Sequence, residues 1–216
     1  MSATPLTAAV VDYGFGNVRS VSKALARSGL VPDVTADPAA VARADAVVLP
    51  GVGNFADAAA SLRAKGLDRA IQDAIAASRP YLGLCLGLQL LFEESDEHGV
   101  TPGWGLLPGR VERFADRGSD GEPLRVPHIG WNRVRFRGEH PMLQDLPEED
   151  CYYFVHSYRA VPSEEGQVVG EADYGGPLAA AVASEGIFAV QFHPEKSQSA
   201  GKRVLDAFAA WVGRCR

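Results

Sequence analysis

The chain has 216 residues, 46% of them hydrophobic, and a formal net charge of -6. That length suits one domain, 1–216, with a core of its own, and the acidic balance without a long basic run argues against nucleic acid or an anionic membrane as partner. The cysteines Cys85, Cys151 and Cys215 are odd in number and show no CxxC spacing, so neither a disulfide framework nor a metal site is indicated. No basic and apolar leader opens the chain at Met1 to Pro5, and no apolar run approaches a membrane span. Three thiols fit a reducing compartment, and the expectation is a cytoplasmic protein.

In chain order, Ala8 to Asp12 reads as a buried strand, followed by the turn Gly14-Phe15-Gly16-Asn17. Val18, Val21, Leu25 and Leu30 then recur at helical spacing, with Gly29 as a C-cap. The Gly-x-Gly of this turn is an incomplete dinucleotide fingerprint, because Arg19 stands in the third glycine's place. Val31 to Val34 reads as a weak strand, Asp37-Pro38 starts a short helix, and Ala46 to Leu49 is a third strand. It runs into Pro50-Gly51-Val52-Gly53-Asn54-Phe55, where two glycines at a strand end expose backbone N–H groups suited to an anion, or make an ordinary turn. Ala56 to Lys65 and Leu67 to Ala77 read as helices, and Pro80 to Leu82 as a fourth strand.

That strand enters Gly83-Leu84-Cys85-Leu86-Gly87-Leu88-Gln89, and Leu88, Leu90, Leu91 and Phe92 predict a helix after it. A cysteine between two glycines at a strand-to-helix junction has the pattern of a nucleophile elbow with Cys in place of Ser. The glycines let the backbone turn sharply where a Cβ would clash, and a helix N-terminus favours a thiolate. The competing reading is a buried structural cysteine.

Beyond the acidic run Glu93 to Gly99, read as solvated surface, helical spacing fades. Val111 to Phe114, Val134 to Phe136, Cys151 to Val155, Tyr158 to Val161, Gln167 to Glu171, Ala179 to Ala183 and Ile187 to Phe192 read as strands. Residues 115–123 predict a mobile Gly/Asp/Ser-rich loop, and Ser197 to Val212 a closing helix. The fold class is therefore α/β: a doubly wound, mainly parallel sheet with antiparallel additions at one edge. Such sheets bind ligands at the carboxyl ends of their strands, where both Gly51 to Gly53 and Cys85 fall.

A nucleophilic thiol needs a base, and the base an orienting acceptor. Of the five histidines, His193 ends a strand, precedes a proline and has Glu195 two residues on. In an extended segment those two side chains point the same way. His128 reads as structural, and Cys151 and Cys215 as inert thiols.

Gly83 to Gln89 with His193-Pro194-Glu195 resembles the triad of the class I glutamine amidotransferases, and Pro50-Gly51-Val52-Gly53 resembles their oxyanion strand. Asp12 to Asn17, Pro127 to Asn132, Tyr153 to Tyr158 and His193 to Gln198 resemble, more narrowly, the glutaminase subunits of imidazole glycerol phosphate synthases. The likeness runs from about Ala8 to the last helix, leaving out an N-terminal extension, 1–6, and the loop at 115–123. The resemblance implies hydrolysis of glutamine through a cysteinyl thioester, without cofactor or metal, and transfer of ammonia to a (β/α)8-barrel cyclase in histidine biosynthesis. It makes Cys85 the nucleophile, His193 the general base and acid, and Glu195 its orienter. Gly51, Val52, Gly53 and Leu86 would form the oxyanion site, and Gln89, Glu97, His156, Ser157 and Tyr158 would hold glutamine. Asn17, Trp131, Asn132, Tyr153 and Lys196 would face or gate the partner. Glycines on either side of Val52 would let that peptide flip when the partner binds, leaving the free subunit nearly inactive. Three other readings stay open: a stand-alone γ-glutamyl hydrolase, which has no need to present Trp131, Asn132 and Lys196, the glutaminase of another synthase, and a non-catalytic module.

Overall fold

The computed structural model describes residues 5–215; residues 1–4 of the expected N-terminal extension, and residue 216, lie outside the described residues. The first half alternates strand and helix: β1 (Thr7–Val11), α1 (Val18–Arg27), β2 (Val31–Thr35), α2 (Pro38–Arg43), β3 (Ala46–Gly51), α3 (Phe55–Ala64), α4 (Leu67–Ala76), β4 (Tyr81–Cys85) and the single turn α5 (Leu86–Gln89). Strands then dominate: β5 (Glu94–Ser95), β6 (Thr101–Pro102), β7 (Gly109–Arg113), β8 (His128–Phe136), β9 (Glu149–His156), β10 (Tyr158–Pro162), β11 (Val168–Asp173), β12 (Pro177–Ser184) and β13 (Ile187–Val190), before α6 (Gln198–Arg214) closes the chain. The helix starts follow their sequence signals. Asn17, Asp37 and Asn54 each accept a hydrogen bond from a first-turn N–H of the helix they precede.

Nine strands form one sheet in the order β2-β1-β3-β4-β13-β12-β11-β8-β9. Pairing is parallel from β2 to β13 and antiparallel from β13 to β9. β13 is thus the hinge between two sheet halves: it lies parallel to β4, which carries Cys85, and ends just before His193. Ala9, Val47, Leu49 and Tyr81 face α2, α3 and α4 in one core layer, and Val10, Val48, Leu82 and Phe188 face α1 and α6 in the other. Each large apolar side chain so buried contributes about 1.5–3 kcal/mol.

A second, four-stranded sheet, β10-β7-β5-β6, lies apart from the first. The acidic run is exposed in the main, as expected, but it also supplies β5, with Ser95 fully buried. Glu93 accepts from Gly109 N–H at 2.9 Å and Glu97 from Phe55 N–H at 2.7 Å. The loop at 115–123 is crossed by bonds from Gly118 N–H to Glu122 O and from Ser119 N–H to Gly175 O.

The expected helix after Cys85 stops at Gln89. The loop at 103–107 takes the carbonyls that would have continued it: Trp104 N–H donates to Leu90 O, Leu106 and Leu107 N–H to Leu91 O, and Gly105 N–H to Phe92 O. One turn is too short to supply the macrodipole the sequence argument invoked for the thiolate.

Candidate active site

The elbow is built by close approach. A Cβ on Gly83 would lie 2.6 Å from Gly87 O, and one on Gly87 would collide with the carbonyl of Leu49 in the neighbouring strand. The turn's strain falls on the cysteine itself: Cys85 has φ 53° and ψ -101°, a conformation costing of the order of 1–3 kcal/mol. Such strain persists only where the surroundings over-determine it, and it holds the sulfur at the carboxyl end of β4.

Gly51 pairs with Cys85 across β3 and β4, placing the turn Gly51-Val52-Gly53 beside the thiol. A Cβ on Gly51 would meet Leu86 Cβ at 2.5 Å and the Tyr13 hydroxyl at 2.8 Å, and Gly53 has φ 104°. The Tyr13 hydroxyl behind this turn is buried without a hydrogen-bond partner, and burial together with the Cys85 charge keeps the phenol protonated.

His193 is extended at φ -110°, as expected from its place before a proline, whereas Pro194–Lys196 form one 3₁₀ turn rather than a continued strand. That turn brings His193 Nδ1 to 2.9 Å from Glu195 Oε1, with both side chains 3% exposed. The carboxylate fixes the proton on Nδ1 and leaves Nε2, which is buried and makes no hydrogen bond of its own. Burial opposes a charge on this imidazole, but Cys85 and Glu195 outweigh it and push its pKa up to about 10.

A cavity of about 420 Å³ opens over the thiol. Val52, Gly53, Cys85, Leu86, Gln89, Glu97, His156, Ser157, Tyr158 and Lys196 all line it, joined by Pro127 and Val155. Two clefts of about 710 Å³ lie elsewhere, but neither holds Cys85, so chemistry rather than size selects the site. At the cavity's edge Lys196 Nζ stands 5.8 Å over the Tyr153 ring, which meets Trp131 edge-on at 6.1 Å. Trp131 is 51% exposed. Asn17 and Asn132 do not line the cavity: Asn17 caps α1, and the Asn132 amide donates to Asp173 O at 2.8 Å.

Two residues in contact with the triad carried no role in the sequence reading. Gln191, fully buried, donates through Nε2 to Cys85 Sγ at 3.4 Å and accepts from Gln89 Nε2 at 3.2 Å. Ser197, also fully buried, accepts from Tyr153 N–H at 2.9 Å and donates to His193 O at 2.7 Å. A polar side chain inside the apolar run that ends at Phe192 was the one signal for Gln191; Ser197 had none beyond lying in the His193 to Gln198 motif. Among the described residues no cluster of three or more metal-ligating side chains occurs, and no helix is long and apolar enough to cross a membrane.

A thiol on a strained elbow, an imidazole held by a buried carboxylate and a glycine turn beside the sulfur define a cysteine-dependent acyl-transfer site on a doubly wound sheet. The sequence profile of the family "Glutamine amidotransferase class-I" matches residues 9–210. Solved structures share the fold. A glutamine amidotransferase aligns with TM-score 0.72 at 20% identity, covering 95% of this chain and 98% of that one. PurLQS from Thermotoga maritima aligns with TM-score 0.71 at 22% identity, covering 96% and 99%. Closer in sequence is "Imidazole glycerol phosphate synthase subunit HisH" of Methylococcus capsulatus, 49% identical over 94% of this chain and 95% of the relative. HisH of Geobacillus thermodenitrificans is 48% identical over 94% and 95%. The chain belongs to the class I glutamine amidotransferase family and, within it, to the HisH subunits of imidazole glycerol phosphate synthase.

Proposed function

We propose that this glutamine amidotransferase subunit cleaves glutamine to glutamate and ammonia through a thioester on Cys85. It passes the ammonia to a (β/α)8-barrel cyclase that forms imidazole glycerol phosphate and aminoimidazole carboxamide ribonucleotide. The observation that carries the reading is one cavity lined by the elbow thiol and the glycine turn, beside a buried His193–Glu195 pair whose imidazole feels Cys85. Cys85 attacks the side-chain amide, and the developing oxyanion is met by N–H groups of Leu86 and of the Gly51-Val52-Gly53 turn. One such donor is worth about 3–4 kcal/mol to the transition state. His193, oriented by Glu195, protonates the departing nitrogen as the C–N bond breaks and then takes a proton from the water that hydrolyses the thioester. Gln89, Glu97 and the His156 to Tyr158 strand end hold the substrate's amino-acid end.

Ammonia must leave unprotonated to act as a nucleophile, which favours an enclosed path into a partner over release to water. Trp131, Asn132, Tyr153, Lys196 and Asn17 form or gate that partner face. Val52, 40% exposed between two glycines, turns its peptide toward the oxyanion when the partner is loaded. Support for a partner comes from the relatives' designation as subunits. Glutamine hydrolysis measured with and without the cyclase and its ribonucleotide substrate tests the reading. The expected result is slow turnover alone, a large rise in the loaded complex, and loss of that activity in Cys85→Ala while ammonia-dependent synthesis survives. Full-rate glutamine use by Cys85→Ala would overturn it.

A further inference from the structure

Behind His156 of the cavity wall lies a second buried histidine, His128, to which the proposed chemistry gives no role. His156 Nδ1 lies 2.8 Å from Tyr158 O, and a carbonyl only accepts, so Nδ1 carries the proton. Burial first, with the neighbouring His128 and His193, pulls the pKa of His156 down to about 3 despite the Tyr158 carbonyl, so the ring is neutral and Nε2 is an acceptor. His128 Nδ1 is 3.1 Å from that Nε2 and must therefore be the donor. Burial pulls the pKa of His128 down to about 4, so its own Nε2 is an acceptor too. It faces Asn132 Nδ2 at 3.4 Å. The Asn132 amide has its orientation set independently, since Nδ2 donates to Asp173 O at 2.8 Å and Oδ1 accepts from Arg133 N–H at 2.8 Å.

The direction of every link follows from these partners. Asn132 donates to His128, His128 to His156, and His156 to the Tyr158 carbonyl. The same carbonyl accepts from Gln89 Nε2 at 3.0 Å, whose other hydrogen goes to Gln191 Oε1 at 3.2 Å, and Gln191 Nε2 donates to Cys85 Sγ. One hydrogen-bond chain thus runs from Asn132, whose side chain shares the His128 face of β8 and points away from the Trp131 face, to the Cys85 sulfur. Two of its links, Gln191 and His128, line neither the cavity nor the surface, and His128 is the one on the Asn132 side. It is held flat between Tyr174, stacked at 3.8 Å, and Phe154, stacked at 4.7 Å.

We propose that His128, locked in the Nδ1–H tautomer, is a positioning residue for glutamine cleavage: it holds His156 and the Tyr158 carbonyl in register with Gln89. The proposal rests on the reading of this cavity as the glutamine site. An imidazole in water favours the Nε2–H form, so two adjacent rings in the Nδ1–H form are a signature that a merely space-filling pair has no reason to show.

Two replacements separate the ring's volume from its hydrogen bonds. His128→Phe keeps an aromatic ring between Tyr174 and Phe154 but leaves His156 Nε2 without a donor, and His128→Asn loses the stack but retains an N–H near the position of Nδ1. Assayed in the complex with the cyclase, His128→Phe is expected to raise KM for glutamine about 10-fold or more with kcat changed less, and His128→Asn to restore much of the loss. Ammonia-dependent synthesis should be unchanged in both, which reports that chain and partner still assemble. Long-range ¹⁵N–¹H spectra of the unsubstituted chain should show both rings as Nδ1–H. A wild-type KM in His128→Phe, or an Nε2–H form of either ring, overturns the proposal while leaving the active site standing. Cys85→Ala run alongside separates the two failures: if it still hydrolyses glutamine at full rate, the reading of the cavity is wrong and the positioning role falls with it.

Discussion

The two halves of the sheet hold their share of the site by different means. In the parallel half, backbone against backbone positions the proposed nucleophile: Gly83 and Gly87 pack where no side chain fits, and Cys85 carries the resulting φ of 53°. In the antiparallel half, side chains do the positioning. Ser197 clamps His193 O to Tyr153 N–H, Glu195 holds the ring, and His128 and His156 brace the Tyr158 carbonyl. Tightly packed backbone has few alternative arrangements, whereas a side-chain network can shift together when a surface at its end is occupied. The half built from side chains is also the half that presents Trp131 and Tyr153. A proposed nucleophile fixed by backbone and a substrate wall held by side chains suit an activity placed under a partner's control.

Four substitutions would break or sharpen this contrast. Glu195→Gln should have the largest effect, lowering kcat for glutamine by about 10²–10⁴-fold by loosening the imidazole and its proton. It also carries a pH signature. His193 has its pKa raised to about 10, so it keeps its proton below that value and loses it as pH rises through it. With one of the two raising partners removed, the alkaline limb of kcat/KM should move to lower pH; an unmoved limb would show that Glu195 does not hold that proton.

Gly87→Ala should come next and act on the fold. The added methyl collides with the Leu49 carbonyl, backbone that has nowhere to go, at a cost of about 3 kcal/mol read from chemical denaturation. An unaffected midpoint would mean the elbow is softer than its packing implies. Ser197→Ala removes a buried hydroxyl and leaves Tyr153 N–H and His193 O without their partner. About 1–3 kcal/mol of stability should go, and kcat should fall with it, because the base loses its clamp. Stability lost at unchanged kcat would place the rigidity of the base elsewhere.

Trp131→Ala should be the mildest within the free chain, whose stability should stay within about 0.5 kcal/mol, since half the ring already faces solvent. Its effect should appear in affinity for the cyclase, weakened about 10-fold or more if the exposed ring is a central anchor of the interface. Undiminished affinity, measured by titration calorimetry, would move the partner to another face.

Most of the fold was legible in local pattern. The apolar runs of β1, β3 and β4 and the caps at Asp37 and Gly29 act over a few residues, so the chain states them directly. Cys85, His193 and Glu195 could be singled out because a glycine-flanked cysteine and a His-Pro-Glu at a strand end are rare without a reason. The short helix after Cys85 was not legible: Leu88 to Phe92 have helical character, but the loop at 103–107 competes for their carbonyls, and that competition is tertiary. The fully buried Ser95 in the acidic run, and the second sheet it helps to form, stayed hidden for the same reason.

The sequence by itself determined which residues have chemistry to offer and which strand ends bear them, because nucleophile, base and turn glycines are properties of single residues and their neighbours. Only the tertiary structure decided that β13 lies against β4, so that Gln191 and Cys85, over a hundred positions apart, come into contact. It alone showed Gln191 and Ser197 at the triad, and the direction of the bonds from Asn132 through His128 to Tyr158. Hydrogen-bond direction depends on which acceptor lies within 3 Å of which nitrogen, and strand pairing sets that distance where no local pattern can.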